Sequence, residues 1–113
     1  MDEDFGFIKR RFQRIDTDVP ARVAASGVRY EGRILNVSAG GCLIAGPIQA
    51  RVGQIFAVGY PKHSSWQIFR CKIMWAIPKG EAIQYGNTFL TVDEEAKRLL
   101  LLDLIEAAGL ELP

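Results

Sequence analysis

Two short stretches of the chain carry the residue types that hold anions. Lys9-Arg10-Arg11-Phe12-Gln13-Arg14 puts four cations within six residues, with Arg10 and Arg14 four apart. Asn36-Val37-Ser38-Ala39-Gly40-Gly41 reads as a strand running into a glycine turn. On a strand, Asn36 and Ser38 point to the same side, because side chains alternate with period two. Gly40 and Gly41 are expected to take positive φ or to let backbone approach a ligand closely. Arginine donates two parallel hydrogen bonds to a phosphate, matches the O6 and N7 acceptors of guanine, and stacks its flat face on a purine. Lysine offers only a point charge. A cationic segment closing over a rigid polar strand is thus a nucleotide clamp in outline. Singly, each stretch has a plainer explanation. Basic hexapeptides are commonly solvated faces, and Asn-x-Ser before Gly-Gly is common turn chemistry.

The elements that must position these residues fit one domain. The chain has 113 residues, 49% apolar and 24% charged, with a net charge of +1. That composition is ordinary for a globular fold. The near-zero net charge makes the whole molecule no magnet for nucleic acid or membrane. The charge is unevenly spread, however. Residues 8–33 carry a balance of +4 and residues 93–113 a balance of −4, so the N-terminal third is the anion-seeking part. Cys42 and Cys71 sit in apolar runs and are expected to be buried, reduced thiols in a cytoplasmic protein. His63, in a Pro-Lys-His-Ser-Ser turn, is expected to be solvated, so no zinc site is expected. Met1-Asp2-Glu3-Asp4 has the wrong charge for a signal peptide, and no apolar run approaches the roughly 20 residues of a membrane helix.

Hydrophobic periodicity predicts six short strands: 21–25, 28–38, 42–45, 54–60, 66–77 and 82–90. In the second, Tyr30, Gly32, Ile34, Asn36 and Ser38 fall on one face, and Arg29, Glu31, Arg33, Leu35 and Val37 on the other. In the fifth, Phe69, Cys71, Ile73, Trp75 and Ile77 share a face. That places Trp75 in the core, although Trp66 and Trp75 also have the chemistry to stack on a base. Strands this short with regular turn signals predict a closed or nearly closed antiparallel barrel. Thr91-Val92-Asp93-Glu94 has capping-box spacing, an apolar stripe runs from Leu99 to Ile105, and Gly109 is a natural stop. The expected division is an N-terminal clamping segment over 1–17, a barrel over 18–91 and a helix over 92–109.

Taken together, Arg10-x-x-x-Arg14 and Asn36-x-Ser38-x-x-Gly41 resemble the paired signature of PilZ domains, which bind the bacterial second messenger cyclic di-GMP. The signature is Arg-x-x-x-Arg followed by Asp/Asn-x-Ser-x-x-Gly, and all five positions are filled. The strand Tyr85-Gly86-Asn87-Thr88-Phe89-Leu90 also resembles the family's last strand. The resemblance spans roughly residues 9–108 and implies a mainly β fold: a six-stranded antiparallel barrel with a C-terminal α-helix. It implies that Arg10, Arg14, Asn36, Ser38 and Gly41 bind cyclic di-GMP, with Lys9, Arg11 and Gly40 accessory. Lys9 stands where many members carry arginine. It keeps the charge without the stacking or forked geometry, which bears on whether one cyclic di-GMP or a stacked pair binds.

The resemblance implies a receptor without a cofactor, monomeric or weakly dimeric, that passes its state to a protein partner in a process such as motility or biofilm formation. An alternative is a PilZ-like protein that serves pilus or motility machinery without ligand. A barrel binding RNA through the basic stripe would show steep salt dependence, and the near-zero net charge weighs against it; no nucleic-acid polymer is an expected partner. An enzyme fits least, since there is no nucleophile–base pair, metal cluster or phosphate loop ahead of a helix.

Overall fold

A computed structural model of the chain describes residues 14–25, 27–46, 51–62, 64–90 and 94–109. Its strands are β1 (Ile15–Ala25), β2 (Val28–Val37), β3 (Gly41–Gly46), β4 (Ile55–Lys62), β5 (Ser65–Lys79) and β6 (Ala82–Phe89). One helix follows, α1 (Glu94–Ala107). The strands close into an antiparallel barrel in the order β1-β2-β3-β6-β5-β4.

Alternation drives the closure. Val19, Ala21 and Val23 of β1 point inward, as do Phe56, Val58 and Tyr60 of β4, and all are buried. β5 is long enough to serve two neighbours. Its first half, Ser65 to Lys72, pairs with β4, and its second half, Cys71 to Lys79, pairs with β6. Aromatic rings fill the centre edge to face. Phe56 meets Tyr85 with centroids 5.7 Å apart, and Phe69 meets Phe89 at 5.5 Å, separations at which ring quadrupoles attract. Cys42 and Cys71 are both buried and unbridged. The Cys71 thiol is pushed well above its ordinary pKa, first by its hydrogen bond with Cys42 and then by burial.

The helix plugs the barrel through Leu104 and Ile105, which are 0% and 5% exposed. Leu100 and Leu101 pack against the core, while Leu99 remains outside. Asp103 anchors the helix to β4: it accepts from Lys62 Nζ at 2.6 Å and from the Tyr60 hydroxyl at 3.3 Å. Burial, and then the Asp103 charge, raise the Tyr60 phenol above its ordinary pKa, so it stays neutral and acts as a donor. α1 ends as expected, with Gly109 at φ +77° and its N–H donating to the Glu106 carbonyl.

Two boundaries depart from the sequence reading. β1 begins at Ile15 rather than Ala21, so only Arg14 of the expected loop precedes it among the described residues. The early start is held by pairs to β2, Ile15 with Val37 and Asp16 with Asn36, and by Thr17 Oγ1, which donates to the Ile34 carbonyl at 2.8 Å. β2 stops at Val37, leaving Ser38 in the turn. His63 and the capping residues Thr91, Val92 and Asp93 lie outside the described residues. Leu104→Ala should cost about 3 kcal/mol through the cavity it leaves. A urea denaturation series should show that loss as a lower midpoint with an unchanged slope.

Candidate ligand-binding site

The outer wall made by β2, β3, β6 and the second half of β5 carries a cleft of about 190 Å³. Arg14, Asn36, Ser38, Gly40 and Gly41 line it, together with Leu43, Met74, Trp75, Gly86 and Asn87. Lys9, Arg10 and Arg11 lie outside the described residues.

Two β-bulges build this wall. In β2, Ile34 pairs with Ile44 but Asn36 pairs with Leu43, so Leu35 is an extra residue. An extra residue reverses the in–out phase of the strand beyond it. Ile34 and Val37 are therefore both fully buried, while Asn36 turns outward and is only half-buried. Regular alternation had put Asn36 beside Ile34 and Val37 on the opposite face. In β5, Ile73 pairs with Asn87 but Trp75 pairs with Gly86, making Met74 the extra residue. The phase reverses again: Ile73 is 2% exposed, whereas Trp75 is 38% and Ile77 49% exposed. Ala76 takes the inward position and packs against the core. Trp75 is thus a surface residue of the cleft and not a core residue. Cross-strand pairing then sets Asp16, Asn36, Leu43, Gly86 and Trp75 in one row around the barrel.

Each polar group has a defined state. The Asn36 side chain has no hydrogen-bond partner among the described residues, and neither has the Gly40 N–H. The carbonyls of the turn are engaged. Gly40 accepts from the Phe89 N–H at 3.0 Å and from Thr88 Oγ1 at 3.2 Å. Gly41 accepts from the Ser38 N–H at 2.9 Å and, more weakly, from Ser38 Oγ at 3.4 Å. The turn therefore presents the Gly40 N–H, unpaired among the described residues, on a stitched frame. Beneath it, Asn87 Nδ2 ties β6 to β3 by donating to the Cys42 carbonyl at 3.3 Å, and it also donates to the Tyr85 carbonyl of its own strand at 3.0 Å.

Neither Gly40 nor Gly41 has a positive φ; among the described residues those angles belong to Gly27, Gly53, Gly80 and Gly109. Gly41 is required for another reason. A Cβ there would overlap the Asn87 carbonyl oxygen, so the close approach is to strand β6. At Gly86 a Cβ would overlap the Trp75 indole, which lies over that backbone. Trp66 is nowhere near this cleft and stands on the β4 side of the barrel.

The PilZ domain family model matches residues 8–107. The chain belongs to the PilZ domain family. Two solved structures share the PilZ fold seen here. The PilZ domain of YcgR from Escherichia coli, solved with c-di-GMP, superposes with a TM-score of 0.65 at 17% identity, covering 89% of this chain and 92% of that one. The inhibitor of motility from Bacillus subtilis (MotI/DgrA) gives a TM-score of 0.65 at 15% identity, covering 86% of this chain. The match takes in 50% of that Bacillus chain, so the present chain corresponds to half of it. No curated protein is similar enough in sequence to match.

Sequence reasoning brought Arg14 and the Asn36–Gly41 turn together; on the opposite side of this PilZ cleft it raised Trp75 as a stacking residue but assigned it to the core, and it did not include Met74, Gly86 or Asn87. A further signal was Gly86, a glycine inside a strand, which marks a close approach by a neighbour. Among the described residues there is no group of three or more His, Cys, Asp or Glu able to hold a metal. No helix there is long and apolar enough to cross a membrane. Without ligand, Gly41→Ala should lose about 3 kcal/mol of stability through strand displacement. Gly40→Ala, with open space around it, should melt within about a degree of the parent. Thermal melts of the two variants separate these outcomes.

Proposed function

We propose that this PilZ domain is a cyclic di-GMP receptor that binds without catalysis. The observation that carries the reading is that Arg14, Asn36, Ser38 and Gly41, four positions of the paired signature, line one cleft. Asn36 supplies an amide and Gly40 a backbone N–H, both uncommitted among the described residues and suited to a guanine edge or a phosphate oxygen. Arg14 adds the forked cation at the mouth. Trp75 offers an exposed indole beside them, and a purine ring stacks on it without needing a hydrogen bond.

The size of the cleft supports a clamp. At about 190 Å³ it is smaller than the roughly 300–1,000 Å³ of small-molecule sites. It takes one base with its phosphate edge, and a cyclic dinucleotide needs cover from another segment. Residues 9–13, directly preceding Arg14, carry the cations to provide it. In this reading Arg10 grips a second edge of the ligand, Lys9 and Arg11 add charge, and the segment closes over the barrel. The changed surface is then what a protein partner reads.

Calorimetric titration of cyclic di-GMP into the purified protein should give saturable binding. Arg14→Ala should lose about 2 kcal/mol, near 30-fold in affinity. Wild-type affinity in that variant would remove Arg14 from the site, and no heat with the parent would leave a ligand-independent interaction domain. Tryptophan emission gives a second test, because the chain has two tryptophans on opposite walls. Ligand should quench the parent and Trp66→Phe alike, while Trp75→Phe should lose the quench.

A further inference from the structure

The wall formed by β1, β4 and the first half of β5 faces away from the cleft and carries a groove of about 250 Å³. Its floor is made of small residues. Ala24 pairs with Ala57, and Arg22 with Gly59. The side walls are Trp66 and Ile68, which are 40% and 72% exposed. Register places Arg29 beside Ala24 and Arg70 beside Ala57. A row across four strands thus runs cation, methyl, methyl, cation. The Arg22 guanidinium lies 3.9 Å from the centroid of the Trp66 ring.

Three cations here lack a carboxylate among the described residues. Arg22, Arg29 and Arg70 form no ion pair among the described residues. Glu31, the register neighbour of Arg22, makes none with it. Stacking on Trp66 uses the face of the Arg22 guanidinium and leaves its in-plane N–H donors for a carboxylate, which the guanidinium fork takes bidentately. It also fixes a long side chain in advance, which lowers the entropy lost on binding. The Trp66 ring already lies against Gly59, and the two methyls beside it accept one aliphatic side chain.

We propose that this groove docks an acidic segment of a partner protein, one aliphatic residue seated on Ala24 and Ala57 beside the Trp66 ring with carboxylates on Arg22, Arg29 and Arg70. Arginine and tryptophan around a concave apolar floor is the composition of a protein-binding hot spot. The groove stands on its own observations and does not depend on the receptor reading.

The test is selection from a random-peptide display library on the full chain, followed by affinity measurement of the selected peptides against Arg22→Glu, Arg29→Glu and Trp66→Ala proteins. Selected sequences should centre on an aliphatic residue flanked by Asp or Glu, and each charge reversal should weaken them by about tenfold or more. Thermal melts confirm that each variant is folded, and cyclic di-GMP calorimetry on the same variants should match the parent, whatever the parent value is. Selection without acidic residues, acidic peptides indifferent to both reversals, or no selected peptide would overturn the proposal. So would binding to phosphatidylglycerol vesicles that is lost in Trp66→Ala while peptide binding is not, which would assign the wall to a membrane surface.

Discussion

An inserted residue in β2, Leu35, and another in β5, Met74, set the phase of every side chain beyond them. The barrel must keep one face of each strand in the core, and a bulge exchanges the faces midway along the strand. Without the first, Asn36 would compete with Ile34 for the interior and Val37 would face water. Without the second, Trp75 would have to fit a core already filled by Phe56, Tyr85, Phe69 and Phe89. The two bulges flank β3 and β6, so both re-aimed side chains arrive on the same outer wall. Gly41 and Gly86 then let that wall close tightly, one against the Asn87 carbonyl and the other under the indole.

β5 connects this wall to the far one. It leaves β4 for β6 along its own length, so Trp66 and Trp75 of one strand stand over different neighbours. Each covers a glycine: Trp66 approaches Gly59, and Trp75 lies on Gly86. The molecule therefore presents two aromatic surfaces on one rigid frame. One stands beside an amide and a backbone N–H, the other beside arginines, all of them unpaired among the described residues.

Much of this was legible in the residues. The Asn36-x-Ser38-x-x-Gly41 spacing and Arg14 do converge, because β1 and β2 form a hairpin that brings Arg14 back beside the end of β2. The six strands and the helix followed from period-two and helical patterning joined by turn residues. Bulges were not legible. Leu35 and Met74 are ordinary strand residues, and the extra position exists only relative to a partner strand. That is why Trp75 read as core, by its alternation with Ile73 and Ile77. The same blindness applied to Gly41, whose lack of a side chain answers to Asn87 across the sheet rather than to its own backbone angles. β1 began early because Asp16 and Thr17, polar and unremarkable in sequence, are held by Asn36 and the Ile34 carbonyl.

The central claim, that the two bulges turn an amide, a backbone donor and an indole onto one ligand, is tested most directly by amide and indole nitrogen–proton correlation spectra during a cyclic di-GMP titration. The account predicts that the Asn36 side-chain amide, the Gly40 amide and the Trp75 indole move together and saturate at one concentration, with the Trp66 indole unmoved. Shifts centred on Trp66 and Arg22, with Asn36, Gly40 and Trp75 silent, would contradict it.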